Sequence, residues 1–310
     1  MKVMVTGGNG FIGRHVVREL MSHGISVISF DSTPPKDSLD SVEYVLGTVL
    51  DPFIMSDYLK GCDAVLHLAA ILGVQRCDKE LLKCLTINIQ GTANVLEACV
   101  MSRVPKVLVT SSSEVFGESN NAAKINEKSS FNPKSGYAIS KLASEKYLEG
   151  FSKEYGLQYN IVRFFNIYGP NQIAEFVIPR FVMRIRKGLP PQIYGNGDQV
   201  RSFCHISDAS RGLVDIFLNK DANNQIFNIG NDTEPIKIKD LARKIVNKAG
   251  STLEPEYIPF SGSDRNDERE IYYRVPDISK IKEAINYEPK VTLDVGIQDM
   301  VESGEITESW

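Results

Sequence analysis

The chain has 310 residues, and with 42% hydrophobic and 24% charged residues it can build a substantial core without metal or disulfide links. Its formal charge of -4 excludes the overall basic field that nucleic acids and anionic membrane surfaces require. The five cysteines are odd in number and never spaced as CxxC, so we expect a reducing, cytoplasmic environment. We also expect no membrane segment and no signal peptide.

A Gly-rich turn follows the first apolar run, Lys2–Thr6, and opens the first helical pattern, Phe11–Met21. Gly8, Gly10 and Gly13 satisfy GxGxxG there, and such glycines let the backbone approach a pyrophosphate at a helix N-terminus. A tight turn without a ligand is the plain alternative. A P-loop is excluded because Arg-His replaces its Lys-Ser/Thr. The predicted dinucleotide contacts are Gly7, Gly10, Phe11, Ile12 and Gly13.

Asp31 ends the second apolar run, Ser26–Asp31, close to the ~20 residues beyond the glycines at which a carboxylate accepts from adenosine ribose hydroxyls. A 2′-phosphate would meet this negative charge without compensation, so Asp31 favours NAD over NADP as the cofactor. The alternative is that Asp31 is a plain turn residue before two prolines.

Three further apolar runs predict buried strands, and the stretches between them have apolar residues at helical spacing. Alternating strands and helices predict an α/β fold, a Rossmann-like doubly wound parallel sheet that binds ligands at its carboxyl edge. The runs are Ala64–Leu68, Lys106–Ser111 and Gln158–Arg163, and the helices are Glu80–Met101 and Tyr137–Tyr155.

The pattern changes after Asn166–Pro170, where shorter elements rich in Pro and Gly follow. We expect a smaller C-terminal α/β substrate-binding lobe at residues 169–310. Residues 1–168 are expected to form the Rossmann domain, to which later segments can return. The predicted helices of the second lobe are Ile178–Lys187, Ser207–Leu218 and Ile238–Ala249.

Tyr137 and Lys141 lie four residues apart, so a helix places the phenol and the ammonium on one face. An adjacent ammonium and a nicotinamide cation both favour phenolate, which can then take a hydroxyl proton near neutral pH. By itself this spacing is more often a solvated helix face. The segment Ser111–Glu114 favours the catalytic interpretation, because it follows a strand at the carboxyl edge of the sheet. A hydroxyl there can bind the same substrate oxygen as the tyrosine.

Taken together, these segments resemble the extended short-chain dehydrogenase/reductase family of NAD-dependent nucleotide-sugar epimerases, dehydratases and decarboxylases. The resemblance covers nearly the whole chain, and the motifs have the family's order and spacing. They are GGNGFIG at 7–13, Asp31, HLAA at 67–70, Asn88 within NIQGT, SSSEVFG at 111–117, YAISK at 137–141 and RFFNIYGP at 163–170.

The resemblance implies a reaction on a sugar carried by a nucleoside diphosphate, in which a hydride passes from C4 to NAD. It makes Tyr137 the base at the 4-hydroxyl. Lys141 is implied to lower the pKa of that tyrosine and to hold the nicotinamide ribose, and Ser112 to hydrogen-bond the reacting oxygen.

The resemblance also implies binding residues outside the glycine turn. It makes residues 1–168 the NAD-binding domain and residues 169–310 the nucleotide-sugar lobe. For the cofactor path it implies Leu68, Ala69, Ala70 and Asn88, all four of which an ordinary core would explain as well. For the nucleotide sugar it implies Ser113, Asn166, Val177, Arg201, Arg265 and Arg274.

The arginines suit an anionic substrate. Arg201 follows IYGNGDQV, which resembles a segment that packs a nucleobase in the family, and a guanidinium suits a diphosphate. Arg265 or Arg269 could supply the second phosphate contact, although exposed arginines without a role explain both equally well.

Glu114 separates the reactions open to a 4-keto sugar. By resemblance, simple 4-epimerases usually lack a carboxylate there, whereas 4,6-dehydratases and decarboxylases usually have one that can act at C5. Ser113 replaces the Asp of dTDP-glucose-type dehydratases. Arg274 resembles an arginine of UDP-glucuronate decarboxylases that could bind a carboxylate, but the segment Asn171–Val177 is shorter than their matching loop.

We therefore expect C4 oxidation of a nucleoside-diphosphate sugar, with UDP as the favoured carrier, followed by dehydration or decarboxylation at C5. The alternative is 4-epimerisation, as in a UDP-glucose 4-epimerase. A different class, a non-catalytic NAD-binding regulator, is disfavoured by the complete set of Ser112, Tyr137 and Lys141.

Few other partners are expected. The four histidines show no metal-ligand spacing, so no metal site is predicted. No nucleic acid and no membrane is expected to bind. In the family, helices that match Glu80–Met101 and Tyr137–Tyr155 commonly form a two-fold four-helix interface, which implies a homodimer.

Overall fold

The computed structural model of the chain describes residues 1–118, 123–260 and 270–308. The strands are β1 (Lys2–Thr6), β2 (Ser26–Asp31), β3 (Val42–Leu46), β4 (Ala64–His67), β5 (Lys106–Ser112), β6 (Gln158–Phe164), β7 (Ile167–Tyr168), β8 (Gln192–Tyr194), β9 (Val200–Arg201), β10 (Cys204–His205), β11 (Gln225–Ile229), β12 (Ile236–Lys237), β13 (Glu256–Ile258) and β14 (Tyr273–Arg274). The helices are α1 (Phe11–Ser22), α2 (Pro52–Leu59), α3 (Val74–Lys79), α4 (Leu81–Leu85), α5 (Gly91–Met101), α6 (Gly136–Tyr155), α7 (Val177–Arg186), α8 (Ile206–Leu218), α9 (Ile238–Lys248), α10 (Ser279–Ile285) and α11 (Leu293–Ser303).

Seven of the described strands form one parallel sheet with the order β11-β6-β5-β4-β1-β2-β3. β1 lies inside the sheet and pairs with both β2 and β4. The chain order therefore reverses between β1 and β4, and connections leave the sheet in opposite directions there. Such a reversal opens a crevice for ligands at the carboxyl ends of the strands. The predicted Rossmann-like doubly wound fold is confirmed.

Two apolar clusters cover the two faces of this sheet. On one face α1 packs with α8, through side chains such as Leu20 and Leu213. On the other face α5 and α6 contribute side chains such as Leu96 and Leu148. Full burial of each such side chain stabilises the fold by about 1.5–3 kcal/mol. The carboxyl edge of the sheet is therefore held by packed helices on both sides.

The predicted helix Glu80–Met101 consists of several consecutive pieces. α4 ends at Leu85, a π-helical turn follows at Thr86–Gln90, and α5 begins at Gly91. A π-turn adds a residue to the helical turn and often marks a functional site. The apolar spacing predicts a helix here but not this widened turn, because the turn shifts the apolar pattern by only one residue.

Some elements of the sheet are not predicted by the apolar pattern. β3 is an edge strand in which Glu43 and Leu46 are exposed, so it lacks the continuous apolar run of a central strand. β11 comes from the second half of the chain and pairs with β6, from Gln225 opposite Asn160 onward. The domain boundary at residue 168 stays a prediction. β11 belongs to the large sheet although it lies after that boundary in the chain.

A separate apolar cluster lies among α7, α9 and α11, around Phe181, Leu241 and Ile297. Beside it, β9 lies between β12 and β14 in a three-stranded sheet. β14 runs parallel to β9, with Arg274 opposite Arg201. Opposed residues of paired strands share a face of the sheet, so these two arginines project to the same side. Within the described ranges, every helix is too short or too polar to cross a membrane.

Candidate active site

The turn between β1 and α1 brings backbone segments into close contact. Gly7 has φ +71°, in the left-handed region that favours glycine. A Cβ at Gly13 would lie 2.0 Å from the carbonyl oxygen of Gly7, and a Cβ at Gly7 would lie 2.7 Å from the amide nitrogen of Ala69. Only glycine therefore permits the close backbone approach that a pyrophosphate needs.

The carboxylate of Asp31, at the end of β2, is fixed by the loops around it. One oxygen accepts the backbone N–H of Asn9 at 3.0 Å, and the other accepts the N–H and the hydroxyl of Thr33, each at 3.0 Å. Asn9 is held in turn by Ser29, whose hydroxyl donates to its side-chain carbonyl at 2.7 Å. Asp31 is thus tied directly to the glycine turn.

The chemistry of this turn fits a dinucleotide. Phe11 and Ile12 form the first turn of α1, and Gly10 before them has no side chain that could cap their N–H groups. N–H groups at a helix N-terminus carry a partial positive charge that a pyrophosphate can neutralise. Asp31 can accept from ribose hydroxyls, whereas it would repel a 2′-phosphate. The residues present therefore fit NAD.

The chain after β4 closes one side of the glycine turn. Leu68 donates its N–H to the carbonyl of Thr6 at 3.0 Å, which continues the pairing of β4 with β1. Ala69 lies against Gly7, and Ala70 follows it. The side chains of Leu68, Ala69 and Ala70 are half-buried, so this segment presents an apolar surface beside the turn.

Asn88, in the π-helical turn, is buried and joins two parts of the site. It accepts the N–H of Ile71 at 2.8 Å and donates to the carbonyl of Ile71 at 3.1 Å. Its amide also donates to the hydroxyl of Ser140 in α6 at 3.0 Å. The widened turn thus lets one side chain hold the segment after β4 against the helix that carries Tyr137.

Tyr137 lies in the first turn of α6, with its phenol near Ser112 at the end of β5. Its side chain is 8% exposed and packs against Cys77 and Cys84. Burial raises the pKa of the phenol, Glu114 adds to that rise, and the hydroxyl of Ser112 opposes it. The phenol is therefore protonated at neutral pH unless a positive charge is placed beside it.

Lys141 lies one turn further along α6, and its ammonium donates to the carbonyl of Thr110 at 2.9 Å. Burial lowers the pKa of this lysine to about 8 from the usual 10.5. At pH 7 the side chain is still mostly cationic, and it loses its charge just above neutrality. A phenol, a hydroxyl and an ammonium thus converge at the carboxyl end of β5, a combination that can take a proton from an alcohol.

Glu114 lies in the 3₁₀ turn Ser113–Phe116 after β5 and forms an ion pair with Arg274 of β14. The second terminal nitrogen of Arg274 donates to the side-chain carbonyl of Asn166 at 3.1 Å. Arg274 is 8% exposed, and its Nε has no hydrogen-bond partner among the residues that the structure describes. A buried guanidinium with an unused donor suits an anionic group of a ligand.

The neighbours of this pair are held by contacts within the second half of the chain. Asn166 has φ +43° and donates its side-chain N–H to the carbonyl of Ser202 at 2.9 Å. Arg201 forms an ion pair with Glu270, with 3.2 Å between nitrogen and oxygen. Since Arg201 and Arg274 are opposed on β9 and β14, their side chains leave the sheet on the same side.

The other predicted substrate residues are less closely tied to the pair. Ser113 follows Ser112 directly and is buried. Val177 begins α7, and its side chain packs against the apolar cluster of the second lobe. Arg265, like Arg269, lies outside the described residues, so its contact with a substrate stays a prediction.

Two residues that the motifs do not single out also shape the site. Glu118 accepts the backbone N–H groups of Tyr272 and Tyr273, the residues that lead to Arg274. Its position directly after the SSSEVFG motif is the signal that could have drawn attention to it. Glu270, the partner of Arg201, gives no such signal, because the two are 69 residues apart and no motif joins them.

A family model for the NAD dependent epimerase/dehydratase family matches residues 3–230. The chain belongs to this family. It is 31% identical to a UDP-N-acetyl-alpha-D-glucosaminuronate decarboxylase from Bacillus cytotoxicus, and the match covers 97% of each chain. The predicted resemblance is therefore confirmed at the level of the family.

Solved structures of two other relatives share the whole fold. A UDP-glucose 4-epimerase from Thermotoga maritima with UDP-glucose has a TM-score of 0.90 at 30% identity, over 97% of this chain and 98% of that chain. A dTDP-glucose 4,6-dehydratase from Streptomyces venezuelae with NAD bound has a TM-score of 0.89 at 28% identity, over 97% and 96%. The chain is thus an NAD-dependent nucleotide-sugar enzyme of this family, and the non-catalytic alternative is not supported. Because the relatives catalyse different reactions, the specific reaction has to follow from the site.

Proposed function

We propose that this enzyme oxidises C4 of a UDP-linked uronic acid and then releases its C5 carboxylate as carbon dioxide. The observation that carries the proposal is the ion pair of Glu114 with the buried Arg274, whose Nε has no hydrogen-bond partner among the described residues. The similarity to a UDP-N-acetyl-alpha-D-glucosaminuronate decarboxylase supports the same substrate class.

The first step is proton removal at C4. Bound NAD supplies the hydride acceptor for C4 and returns the hydride at the end of the cycle. Tyr137 takes the proton of the 4-hydroxyl, and Ser112 hydrogen-bonds the same oxygen. Because burial raises the pKa of Tyr137, its phenolate depends on added positive charge. We assign that charge to the ammonium of Lys141, one turn further along α6, together with the nicotinamide cation. Proton removal is therefore favoured only when that positive charge lies beside the phenol.

The ketone at C4 makes decarboxylation possible, because it can accept the electron pair of a bond broken at C5. When the bond between C5 and C6 breaks, carbon dioxide leaves and the pair moves into the C4 carbonyl as an enolate. Arg274 holds the departing carboxylate in position, and Glu114 fixes the guanidinium. C5 then takes up a proton, and reduction at C4 completes the reaction.

Dehydration is less well supported by the same residues. Loss of water from C5 and C6 needs an acid for the 6-hydroxyl, and Ser113 offers a buried, neutral hydroxyl where dTDP-glucose-type dehydratases carry Asp. The second candidate is 4-epimerisation, which needs only C4 oxidation and a turn of the keto sugar. The similarity to a UDP-glucose 4-epimerase structure favours it as the alternative.

The deciding experiment is mass spectrometry after incubation of the enzyme and NAD with UDP-glucuronate, UDP-N-acetylglucosaminuronate, UDP-glucose and dTDP-glucose. We expect loss of carbon dioxide from one or both uronic acids. Loss of water would favour dehydration, and unchanged mass with an inverted C4 would favour epimerisation. Either result, without carbon dioxide from a uronic acid, would overturn the proposal.

Arg274→Gln and Arg201→Gln form a matched pair for substrate binding, because the two arginines are opposed on neighbouring strands. We expect Arg274→Gln to weaken the affinity for the uronic acid substrate and to leave the affinity for UDP unchanged. Arg201→Gln should weaken both, because we assign its guanidinium to the diphosphate. Equal losses of UDP affinity in the two variants would contradict this assignment.

We further propose that the other site residues keep the roles that the family resemblance implies. On this proposal, residues 1–168 carry most of the NAD site and residues 169–310 most of the nucleotide-sugar site. The cofactor residues are Gly7, Gly10, Phe11, Ile12, Gly13, Asp31, Leu68, Ala69, Ala70, Asn88, Tyr137 and Lys141. The substrate residues are Ser113, Asn166, Val177, Arg201, Arg265 and Arg274.

We also propose a cytoplasmic homodimer. All five cysteines are free and buried, which suits a reducing compartment. Exposed apolar side chains on α4 and α6, among them Leu82 at 80% and Ile139 at 50%, support an interface between copies through these helices. Light scattering should give the mass of a dimer for the wild type and a lower mass for Ile139→Glu. A wild-type monomer would exclude the dimer.

A further inference from the structure

Glu118 links the loop that carries Glu114 to the strand that carries Arg274. It follows Gly117, which has φ +64° and ends the turn Ser113–Phe116. Its carboxylate accepts the backbone N–H of Tyr272 at 2.6 Å and that of Tyr273 at 3.0 Å. The two segments that meet in the ion pair are therefore also joined by hydrogen bonds from the main chain of one to a side chain of the other.

This contact holds the start of β14, which pairs only with β9 in its three-stranded sheet. On one edge, β14 pairs with β9, and the carbonyl of Tyr272 accepts the N–H of Val200 at 2.7 Å. β14 is an outer strand of this three-stranded sheet, and the chain just after it is held by Ile125, which donates its N–H to the carbonyl of Val275 at 2.9 Å. The carboxylate of Glu118 accepts the N–H of Tyr273, the first residue of β14, and that of Tyr272 in the bend just before it. The backbone just before Arg274 is thus held from both sides.

We infer that Glu118 is a positioning residue for the reaction at C5, which acts by setting the guanidinium of Arg274 against Glu114. This inference rests on the proposed function for the role of Arg274. Glu118 itself contacts the main chain and not the reacting atoms. Its effect on catalysis therefore passes entirely through Arg274.

A carboxylate of this length suits the task. Its two oxygens can each accept one of the two N–H groups, and its charge strengthens both hydrogen bonds. A glutamine has one acceptor oxygen, and its amide would oppose the second N–H group. An aspartate keeps the charge but is one methylene shorter. A small shift of a group near the chemistry lowers turnover by roughly 10- to 100-fold.

The experiment is a double-mutant cycle of Glu118→Gln with Arg274→Gln, measured as the rate of carbon dioxide release from the uronic acid substrate. We expect Glu118→Gln to lower kcat roughly 10-fold in the wild-type background and less than about 2-fold in the Arg274→Gln background. Formation of reduced nicotinamide, which reports C4 oxidation, should keep its wild-type rate. Glu118→Asp should recover part of the loss. Glu283→Gln, at an exposed carboxylate in α10, is the matched control and should leave kcat unchanged.

The possible failures are distinct. If Glu118→Gln releases carbon dioxide at the wild-type rate, or loses the same factor in both backgrounds with a lower Tm, the positioning role is overturned and Glu118 has at most a structural role. If the wild type releases no carbon dioxide, the proposed function is overturned, and the inference that rests on it falls as well.

Discussion

Main chain forms most of the surface on the proposed cofactor side of this site, whereas charged side chains form the proposed sugar side. Around Gly7 and Gly13 the surface is main chain, at distances that leave no room for a Cβ. Around Arg274 it consists of side chains that come from segments 160 and 108 residues away along the chain. On the proposed assignment, the cofactor side can be shared by relatives with different reactions, while a few charges on the sugar side select the reaction.

Tyr137→Phe acts where the two sides meet and has the largest expected effect. The variant lacks the oxygen that takes the C4 proton, so we expect turnover to fall by about 10³-fold. NAD binding should be kept, because the ring retains its packing against Cys77 and Cys84. Product formation and the nicotinamide content of the purified protein measure the two effects. Turnover within about 10-fold of the wild type would exclude Tyr137 as the base.

Glu114→Gln tests the sugar side alone. The variant keeps the shape of the side chain but removes the charge that pairs with Arg274, and we expect product formation to fall by about 10²-fold. NAD content should match the wild type. Glu114→Asp is the control that keeps the charge and should be less impaired. Undiminished turnover by Glu114→Gln would favour simple 4-epimerisation.

Gly13→Ala tests the cofactor side alone. The new Cβ would clash with the carbonyl of Gly7, so we expect loss of bound NAD and a decrease of about 1–3 kcal/mol in the free energy of unfolding. The affinity for UDP should be unchanged, since the sugar side is untouched. Gly150→Ala in α6 is the control. Apart from its own helix backbone and chain neighbours, none of the described residues has an atom within 4 Å of a Cβ at this position, and the helix should gain about 0.5–1 kcal/mol. Normal NAD content in Gly13→Ala would contradict the backbone cradle.

Lys141→Met separates stability from activity and has the smallest expected effect on the fold. Below pH 8 the buried lysine is charged in the folded and unfolded states, so its desolvation lowers stability. Between pH 8 and 10.5 only the unfolded state keeps the proton, and wild-type stability rises with pH. We expect Lys141→Met to be about 1–2 kcal/mol more stable at pH 7, with the difference shrinking toward pH 10.

Thermal unfolding of both proteins across this pH range measures the effect, and activity should be lost throughout in the variant. A variant that is less stable than the wild type at pH 7 would show that the hydrogen bond from Lys141 to Thr110 outweighs the cost of burying the charge.

Much of the cofactor side could be predicted from the sequence, because its signals are local. Gly10 and Gly13 lie within one turn of the chain, and Tyr137 and Lys141 lie one helical turn apart. The alternation of apolar runs predicted the central strands for the same reason. The π-turn around Asn88 escaped prediction because it barely disturbs the spacing of apolar residues.

The sugar side was predicted only through family resemblance, which pointed to Glu114 and Arg274 one at a time. Their pairing could not be predicted, because an ion pair between distant segments leaves no periodic trace in either segment. Glu118 was missed for a related reason, since its partners are backbone N–H groups that no residue type reveals. The catalytic and binding roles of the individual residues stay predictions until the variants are measured.

The ladder between β9 and β14 has a consequence for substrate choice. A shift of one residue along a strand turns every side chain to the opposite face. A slip of β14 by one residue against β9 would leave both arginines in the chain and yet aim Arg274 away from Glu114. On the proposed function, recognition of a carboxylate therefore depends on the register of one strand. An arginine nearby in the sequence of another family member does not by itself imply a uronic acid substrate.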